Sequence, residues 1–317
     1  MIMNRISTLT AVVACTALGA VTLAGCGGGS TAAPAGPGKA SSAASLARLV
    51  DQSSAVAAGP VGKNLPSTPT MDRIRKRGSL LYAGARTGLG FSQLDPATQK
   101  VSGFDAGMAQ LLAKYLLGKP EAKLQSGGSD TREALLGNHT VDAAIETYSI
   151  TPERAKLVNF AGPYYMAHSA IVVKSDNTSI TKAADLAGKK VATESGAGKD
   201  ALLAAAPTAK PVLFDTASEM IAALQQGRVE AATLNSALLL GATAGKPTVK
   251  TLPATYGSNP FGIGIAKDDP AFKTIVNQFL KTIETDGTWT KLYDDTAGKL
   301  IKGKAPTPPA TGSVEGS

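Results

Sequence analysis

Arg154 stands in the first turn of a predicted helix, where the macrodipole opposes a cation. Thr151 suits the N-cap, Pro152 the first helical position and Glu153 the positive helix end, so Arg154 alone breaks the pattern. A guanidinium beside free helix amides makes a strong trap for a carboxylate or phosphate. The plain alternative is a solvated arginine or one paired with a nearby acid. Just upstream, Val141, Ala143 and Ile145 alternate as in a buried strand. If that period of two continues, the hydroxyls of Thr147 and Ser149 fall on one side of an extended backbone. Glu146 and Glu194 are acids close to these segments, but neither sits in a motif that demands a perturbed proton affinity. No phosphate loop, metal cluster or nucleophile–histidine pair is visible, and His139 and His168 are too far apart in sequence to argue for a metal.

The elements that must position these residues alternate. A strand is predicted over 80–85. A helix is predicted over 104–117, where Met108, Leu111, Leu112, Tyr115 and Leu116 recur at helical spacing and Gly118 closes the element. Asp130 with Glu133 predicts a capping box for a short helix ending at Gly137, and Thr216 with Glu219 predicts another for a helix that Gly227 terminates. Further strands are predicted over 171–174, 190–193, 229–233 and 261–266, and helices over 196–206, 270–285 and 289–293. Strands interleaved with helices predict an α/β fold with parallel sheets covered on both faces and a ligand cleft at strand carboxyl ends.

Residues 1–26 read as a targeting leader, with Arg5 as the positive n-region, an apolar run over 9–23 and Leu23-Ala24-Gly25-Cys26 as a lipobox. The apolar run is shorter than the ~20 residues needed to cross a bilayer. Of the two cysteines, Cys15 falls within the leader and Cys26 at its end, which leaves no thiol for a disulfide, metal site or nucleophile. A secreted protein cleaved elsewhere is the alternative. Residues 27–70 are rich in Gly, Ala, Ser and Pro and read as a disordered tether with room for a short helix around 45–56; 301–317 reads as a disordered tail. About 230 residues remain, long enough for two modest domains. The net charge of +8, or +7 without Arg5, is scattered rather than clustered, so nothing argues for nucleic acid. It favours proximity to anionic lipid or is plain surface composition.

The stretch VDAAIETYSITPERAKLVNFAGPYY resembles the signature of bacterial family 3 solute-binding proteins, the polar amino-acid receptors of ABC importers. Val141, Asp142, Thr147, Ser149, Thr151, Pro152, Glu153, Arg154, Phe160, Pro163 and Tyr164 carry the match. The resemblance covers residues 72–299 and implies a two-lobed periplasmic-binding-protein type II fold with a ligand cleft between the lobes. Lobe 1 would be discontinuous, 71–167 and 261–300, and lobe 2 would be 168–260. The two crossings would fall near 166–169 and 260–262, with His168 as a hinge residue. It further implies a monomer without cofactor or metal, cut before Cys26 and held on the extracytoplasmic face of the cell membrane by lipid on that thiol and amine. An ABC permease is the implied partner.

A free amino acid presents a carboxylate, an ammonium and a side chain, so its receptor must replace the water on two charges with matched partners. The resemblance implies Arg154 for the α-carboxylate, helped by Thr147, Tyr148 and Ser149 and by amides of the Ser195-Gly196-Ala197-Gly198 turn. The family usually carries hydroxyls there; Gly196, Ala197 and Gly198 offer backbone N–H alone, and the turn also reads as an ordinary strand-to-helix connection. For the α-ammonium the family uses an aspartate after a strand matched here by Gly227-Arg228-Val229-Glu230-Ala231, but counting forward reaches Asn235. Either affinity is weaker, Glu146 or Glu194 compensates, or the register is shifted. Phe91 matches an aromatic that packs on the ligand's aliphatic part. Arg86 matches an arginine of glutamate/aspartate receptors, where a bidentate contact to a side-chain carboxylate adds about 1.5 to 3 kcal/mol. L-Glutamate or L-aspartate is the implied ligand; an Arg86 facing solvent would leave glutamine, asparagine or another polar amino acid. Two other functions share the fold: an amino-acid sensor read by a membrane receptor, and a dehydratase-type enzyme, for which no motif speaks.

Overall fold

Two long antiparallel strands, Asn159–Lys174 and Val249–Ile265, carry the chain through both of its lobes. The computed structural model describes residues 49–128, 130–301 and 305–317. The expected leader over 1–26, Cys26 and the tether up to residue 48 lie outside the described residues.

Lobe 1 opens with α1 (Ser53–Ala58) and α2 (Pro69–Arg77). The Thr68 hydroxyl accepts from Met71 N at 3.2 Å to start α2, and left-handed Gly78 ends it. Next come β1 (Leu80–Gly84) and a small antiparallel meander of β2 (Thr87–Gly88), β3 (Ser92–Leu94) and β4 (Val101–Ser102). These lead to α3 (Phe104–Leu117), β5 (Ala122–Ser126), α4 (Arg132–Gly137), β6 (Ala143–Ala144) and α5 (Pro152–Leu157). β7 (Asn159–Lys174) crosses into lobe 2, which contains β8 (Lys190–Thr193), α6 (Ala197–Ala205), β9 (Lys210–Leu213), α7 (Ala217–Gln225), β10 (Ala231–Asn235) and α8 (Ser236–Thr243). β11 (Val249–Ile265) returns to lobe 1, where α9 (Pro270–Thr285) and α10 (Thr288–Asp295) finish the fold.

The strand order is β5-β1-β6-β11-β7-β10-β8-β9. β1 pairs parallel with β5 and β6, and β8 parallel with β9 and β10, so each outer set is the expected parallel α/β arrangement. The antiparallel β7–β11 pair joins them, with register shifts at Thr251/Thr255 and Tyr256/Asn259. At this bent stretch His168 Nδ1 lies 2.8 Å from Gly257 O, and Asn259 Nδ2 donates to Ser169 Oγ at 3.2 Å. Each lobe has its own apolar core. In lobe 1, Phe91, Phe104, Tyr165 and Phe261 meet Trp289 and Tyr293, while α9 buries Phe272, Ile275, Val276, Phe279, Leu280 and Ile283 at helical spacing. In lobe 2, Met220, Ile221 and Leu224 of α7 cover one face of the sheet; Leu202 of α6 sits in a second cluster with Ile171 and Val191.

Four expectations change. No capping box forms from Asp130 and Glu133: α4 starts at Arg132 after Thr131, whose side chain makes no cap hydrogen bond. The period of two does not run on through Thr147 and Ser149: β6 is two residues long, and Thr147 is left-handed, with φ of 44°. The buried Asp105 carboxylate holds the Thr147 amide at 2.7 Å and fixes that turn. The tether expected over 27–70 stops short of its end, since Val50, Gln52, Ala55 and Val56 are buried. Gln52 Nε2 donates to Val101 O at 3.0 Å, and Lys114 Nζ donates to Ala57 O at 2.7 Å. Small residues that cannot build a core can still lie against one made by α3 and α10. The tail expected to be disordered over 301–317 also touches lobe 1: Gly312 N donates to Gly162 O at 2.8 Å, and Val314 packs on the cluster of Leu136, Tyr148 and Phe160.

Candidate functional site

A cleft of about 460 Å³ opens between the lobes. Lobe 1 lines it with Arg86, Thr87 and Leu89 from the β1–β2 loop and β2–β3 turn, with Arg132 of α4, with Glu146, Thr147 and Ser149 after β6, and with Arg154 of α5. Lobe 2 faces these with Glu194, Ser195, Ala197 and Gly198, with Asp215, Thr216 and Ala217, and with Leu234, Asn235, Leu238 and Gly241. The lobes meet at the rim. Ser195 Oγ donates to Asp130 Oδ1 at 3.1 Å, and a Cβ on Gly241 would stand 2.6 Å from the Leu89 Cβ.

Two guanidiniums of lobe 1, Arg132 buried and Arg154 half-buried, share one support, the Tyr148 ring. Arg132 Cζ lies 4.0 Å and Arg154 Cζ 5.2 Å from its centroid. The Tyr148 hydroxyl donates to Glu133 Oε1 at 2.6 Å, and Arg154 Nε approaches the same oxygen at 3.6 Å. Arg154 Nη1 donates to Ser149 O at 3.0 Å, so the side chain is aimed before any ligand arrives. Burial, then the nearby Arg132 charge, pull the Arg154 guanidinium below arginine's usual range. That environment favours an added anion.

Beneath Arg132 sits Glu146. Arg132 Nη1 donates to Glu146 O at 3.3 Å and lies 3.8 Å from Glu146 Oε2, yet Glu146 Oε2 and Arg132 Nε are both buried without a hydrogen-bond partner among the described residues. Burial raises the Glu146 carboxyl to about 7; Arg132 opposes the rise, and Asp105, Glu194 and Glu133 add to it. Asp105 is raised to about 6 by burial, against hydrogen bonds from the Tyr164 hydroxyl at 2.8 Å and the Thr147 amide.

Lobe 2 presents three helix starts to the same space: Ala197 and Gly198 begin α6, Thr216 caps α7, and Asn235 caps α8. Their positive ends favour a carboxylate in the cleft. Asn235 Oδ1 accepts from Leu238 N at 3.0 Å, so its oxygen serves the helix cap.

Of the residues singled out from sequence, Arg86, Thr147, Ser149, Arg154, Ala197, Gly198 and Asn235 are brought together around the cleft. Three are not. Phe91 is 1 % exposed and packs edge-on against Phe104, Tyr165 and Phe261; the β2–β3 turn sends it inward, and Leu89 lines the cleft instead. Tyr148 is fully buried behind the two arginines and supports them without lining the cleft. Gly196 is the left-handed N-cap of α6, where a Cβ would stand 3.4 Å from Arg154 Nη2; it clears space rather than lining the cleft. Arg132 was missed. Its signal was the same anomaly as Arg154, a cation in the first turn of a short helix.

The family of bacterial extracellular solute-binding proteins, family 3, matches residues 86–299. The glutamine-binding protein of Geobacillus stearothermophilus is 36% identical over 215 residues, 66% of this chain and 81% of that protein. The glutamate-binding protein GluB of Corynebacterium efficiens is 30% identical over 229 residues, 67% of this chain and 76% of that protein. Among solved structures, a mutant of ArgBP from T. maritima superposes with a TM-score of 0.64 at 29% identity, covering 71% of this chain and 97% of that one. The two-lobed α/β fold, the interlobe cleft lined by Arg86, Arg132 and Arg154, and these likenesses agree: the chain belongs to the bacterial extracellular solute-binding proteins, family 3.

Proposed function

We propose that this protein captures a free acidic amino acid, L-glutamate or L-aspartate, by closing lobe 1 (71–167 and 261–300) and lobe 2 (168–260) around it, and delivers it to an ABC importer. The observation that carries this reading is the convergence of Arg86, Arg132 and Arg154 on one cleft, opposite three helix N-termini. With Glu146, Glu194 and Asp215 on the same cleft, the arginines and helix ends leave a field that admits two carboxylates alongside an ammonium. Arg154, with Ser149 and the first amides of α6, takes the α-carboxylate. Arg86 is exposed and lines the cleft mouth, where it can reach a side-chain carboxylate bidentately. Ligand bridges both lobes only when they meet, so capture is a population shift toward the closed form. The proposal includes anchorage at the extracytoplasmic face through lipid on Cys26, and binding without turnover.

The Arg132–Glu146 pairing and the exposure of Arg86 favour a second reading. If Glu146 cancels Arg132, the deep end of the cleft is neutral and L-glutamine fits. Isothermal titration with L-glutamate, L-aspartate, L-glutamine and L-asparagine separates the two. Preference for the acids is the expected result. Equal or tighter binding of the amides would remove Arg86 as side-chain reader, and heat from none of the four would refute amino-acid capture. A sensor would use the same cleft; ligand uptake measured against a downstream signal, in cells with and without the permease, distinguishes it from a transport receptor.

A further inference from the structure

A bound amino acid brings an ammonium that must find a carboxylate or stay unpaired in a cleft stripped of water. Asn235, at the position where a countercharge is expected, is neutral and spends its oxygen on the α8 cap. Asp215 lines the cleft but is exposed, so water already solvates it. Glu146 differs on both counts. It is 8 % exposed, it lines the cleft, and its Oε2 has no hydrogen-bond partner among the described residues. A buried acceptor in that state carries a desolvation cost that the Arg132 charge, 3.8 Å away, offsets only in part. Gly127 beside it contributes no side chain, and a Cβ there would lie 3.6 Å from Oε2.

We propose that Glu146 receives the ligand's α-ammonium in place of the neutral Asn235, and that this contact makes ligand capture expel a proton. The inference rests on amino-acid capture as proposed above. The charged groups around Glu146 are Arg132 and Glu133 of α4, Asp105 of α3 and, across the cleft, Glu194. With its carboxyl at about 7, Glu146 holds a proton in about half of the free molecules at pH 7. An ammonium at Oε2 favours the ionised form, so the proton leaves as the ligand enters. The sign follows: affinity rises with pH through the Glu146 titration, by up to about tenfold per unit on its acid side.

The test is titration calorimetry at pH 7 in two buffers of different ionisation enthalpy, which reports the protons released. The probes are L-glutamate and L-glutamine, with glutarate and glutaramate as the same molecules lacking the ammonium. Wild type should release about half a proton per L-amino acid and none with the des-amino probes. Glu146→Gln should lose at least about tenfold in affinity for the L-amino acids, release no proton, and lose no affinity for the des-amino probes, whose carboxylates gain from the uncancelled Arg132 charge. Wild-type binding without proton release would overturn the proposal with no variant needed. So would unchanged affinity in Glu146→Gln, or an equal loss for the des-amino probes, which would make Glu146 a support for Arg132 only. Wild type silent to every amino acid would instead refute the capture reading on which this one rests.

Discussion

If Arg154 takes the ligand's carboxylate as proposed, the costs of binding are largely met in advance. The guanidinium is half-buried, set over the Tyr148 ring, and held by Ser149 O and Glu133, so little rotamer freedom remains to be lost. Arg154→Ala should weaken ligand binding by about 2 to 5 kcal/mol, as when one partner of a buried charge pair is removed. Arg154→Lys should recover part of the charge but not the planar fork. Titration of both variants checks this, and an unchanged dissociation constant in the alanine variant would remove Arg154 from the site. The buried acids govern the empty protein. Glu146 and Asp105 hold their protons at about 7 and about 6, against ordinary values of 4.5 and 3.8, so the folded protein binds more protons than the unfolded chain between those limits. Stability of the ligand-free protein should therefore fall as pH rises from about 4 to about 7, by up to about 3 kcal/mol per group. Urea unfolding at pH 5 and pH 8 measures it. Glu146→Gln should flatten part of the slope, and stability rising over that range would show that both carboxyls stay ionised.

Among the elements, α1 shows how a segment without a core of its own becomes structural. Ala55 and Val56 are buried on α3 and α10, and a Cβ on Gly59 would come within 2.2 Å of a Leu111 methyl. A chain beginning at Gly59 should be less stable than one beginning at Leu49 by about 2 to 4 kcal/mol, from lost apolar burial and the Gln52 hydrogen bonds. Denaturant midpoints of the two chains decide it; equal midpoints would mean that this segment rests on the surface without supporting it. The helix starts of lobe 2 carry a different duty. Thr216 with Glu219 forms the capping box of α7, and Asn235 caps α8, so the groups that end β10 and open these helices also face the ligand space.

For the molecule as a whole, the decisive contact is between lobes. Gly241 in α8 lets Leu89 approach its backbone, and a Cβ there would fall 2.6 Å from the Leu89 Cβ. Parting the lobes would relieve that crowding, and alanine in a helix interior gains roughly 0.5 to 1 kcal/mol over glycine. Gly241→Ala should therefore leave the ligand-free thermal midpoint unchanged or raised while weakening L-glutamate binding about tenfold, or about 1.4 kcal/mol. Opposite signs in the two measurements identify closure as the affected step. Undiminished affinity would mean that the lobes can bind ligand without meeting at α8.

What the sequence determined by itself was local. Thr151 caps α5 and Thr216 with Glu219 caps α7 because those bonds span three residues, and the buried face of α9 follows from a period of 3.6. Arg154 was legible because a cation in a helix's first turn conflicts with its own backbone. The rest depended on partners far along the chain. Asp105, 42 residues upstream, breaks the alternation at Thr147. Phe91 and Leu89 differ by two positions, yet one enters the aromatic core and the other the cleft, a choice made by the β2–β3 turn and the packing of Phe104. Glu146 is an ordinary acid in sequence; its free oxygen and raised proton affinity exist only because the fold buries it between Arg132, Asp105 and the opposing lobe. Hydrogen-bond geometry over a few residues is written in residue order, whereas burial is a property of everything that surrounds a side chain, and only the tertiary structure assembles that.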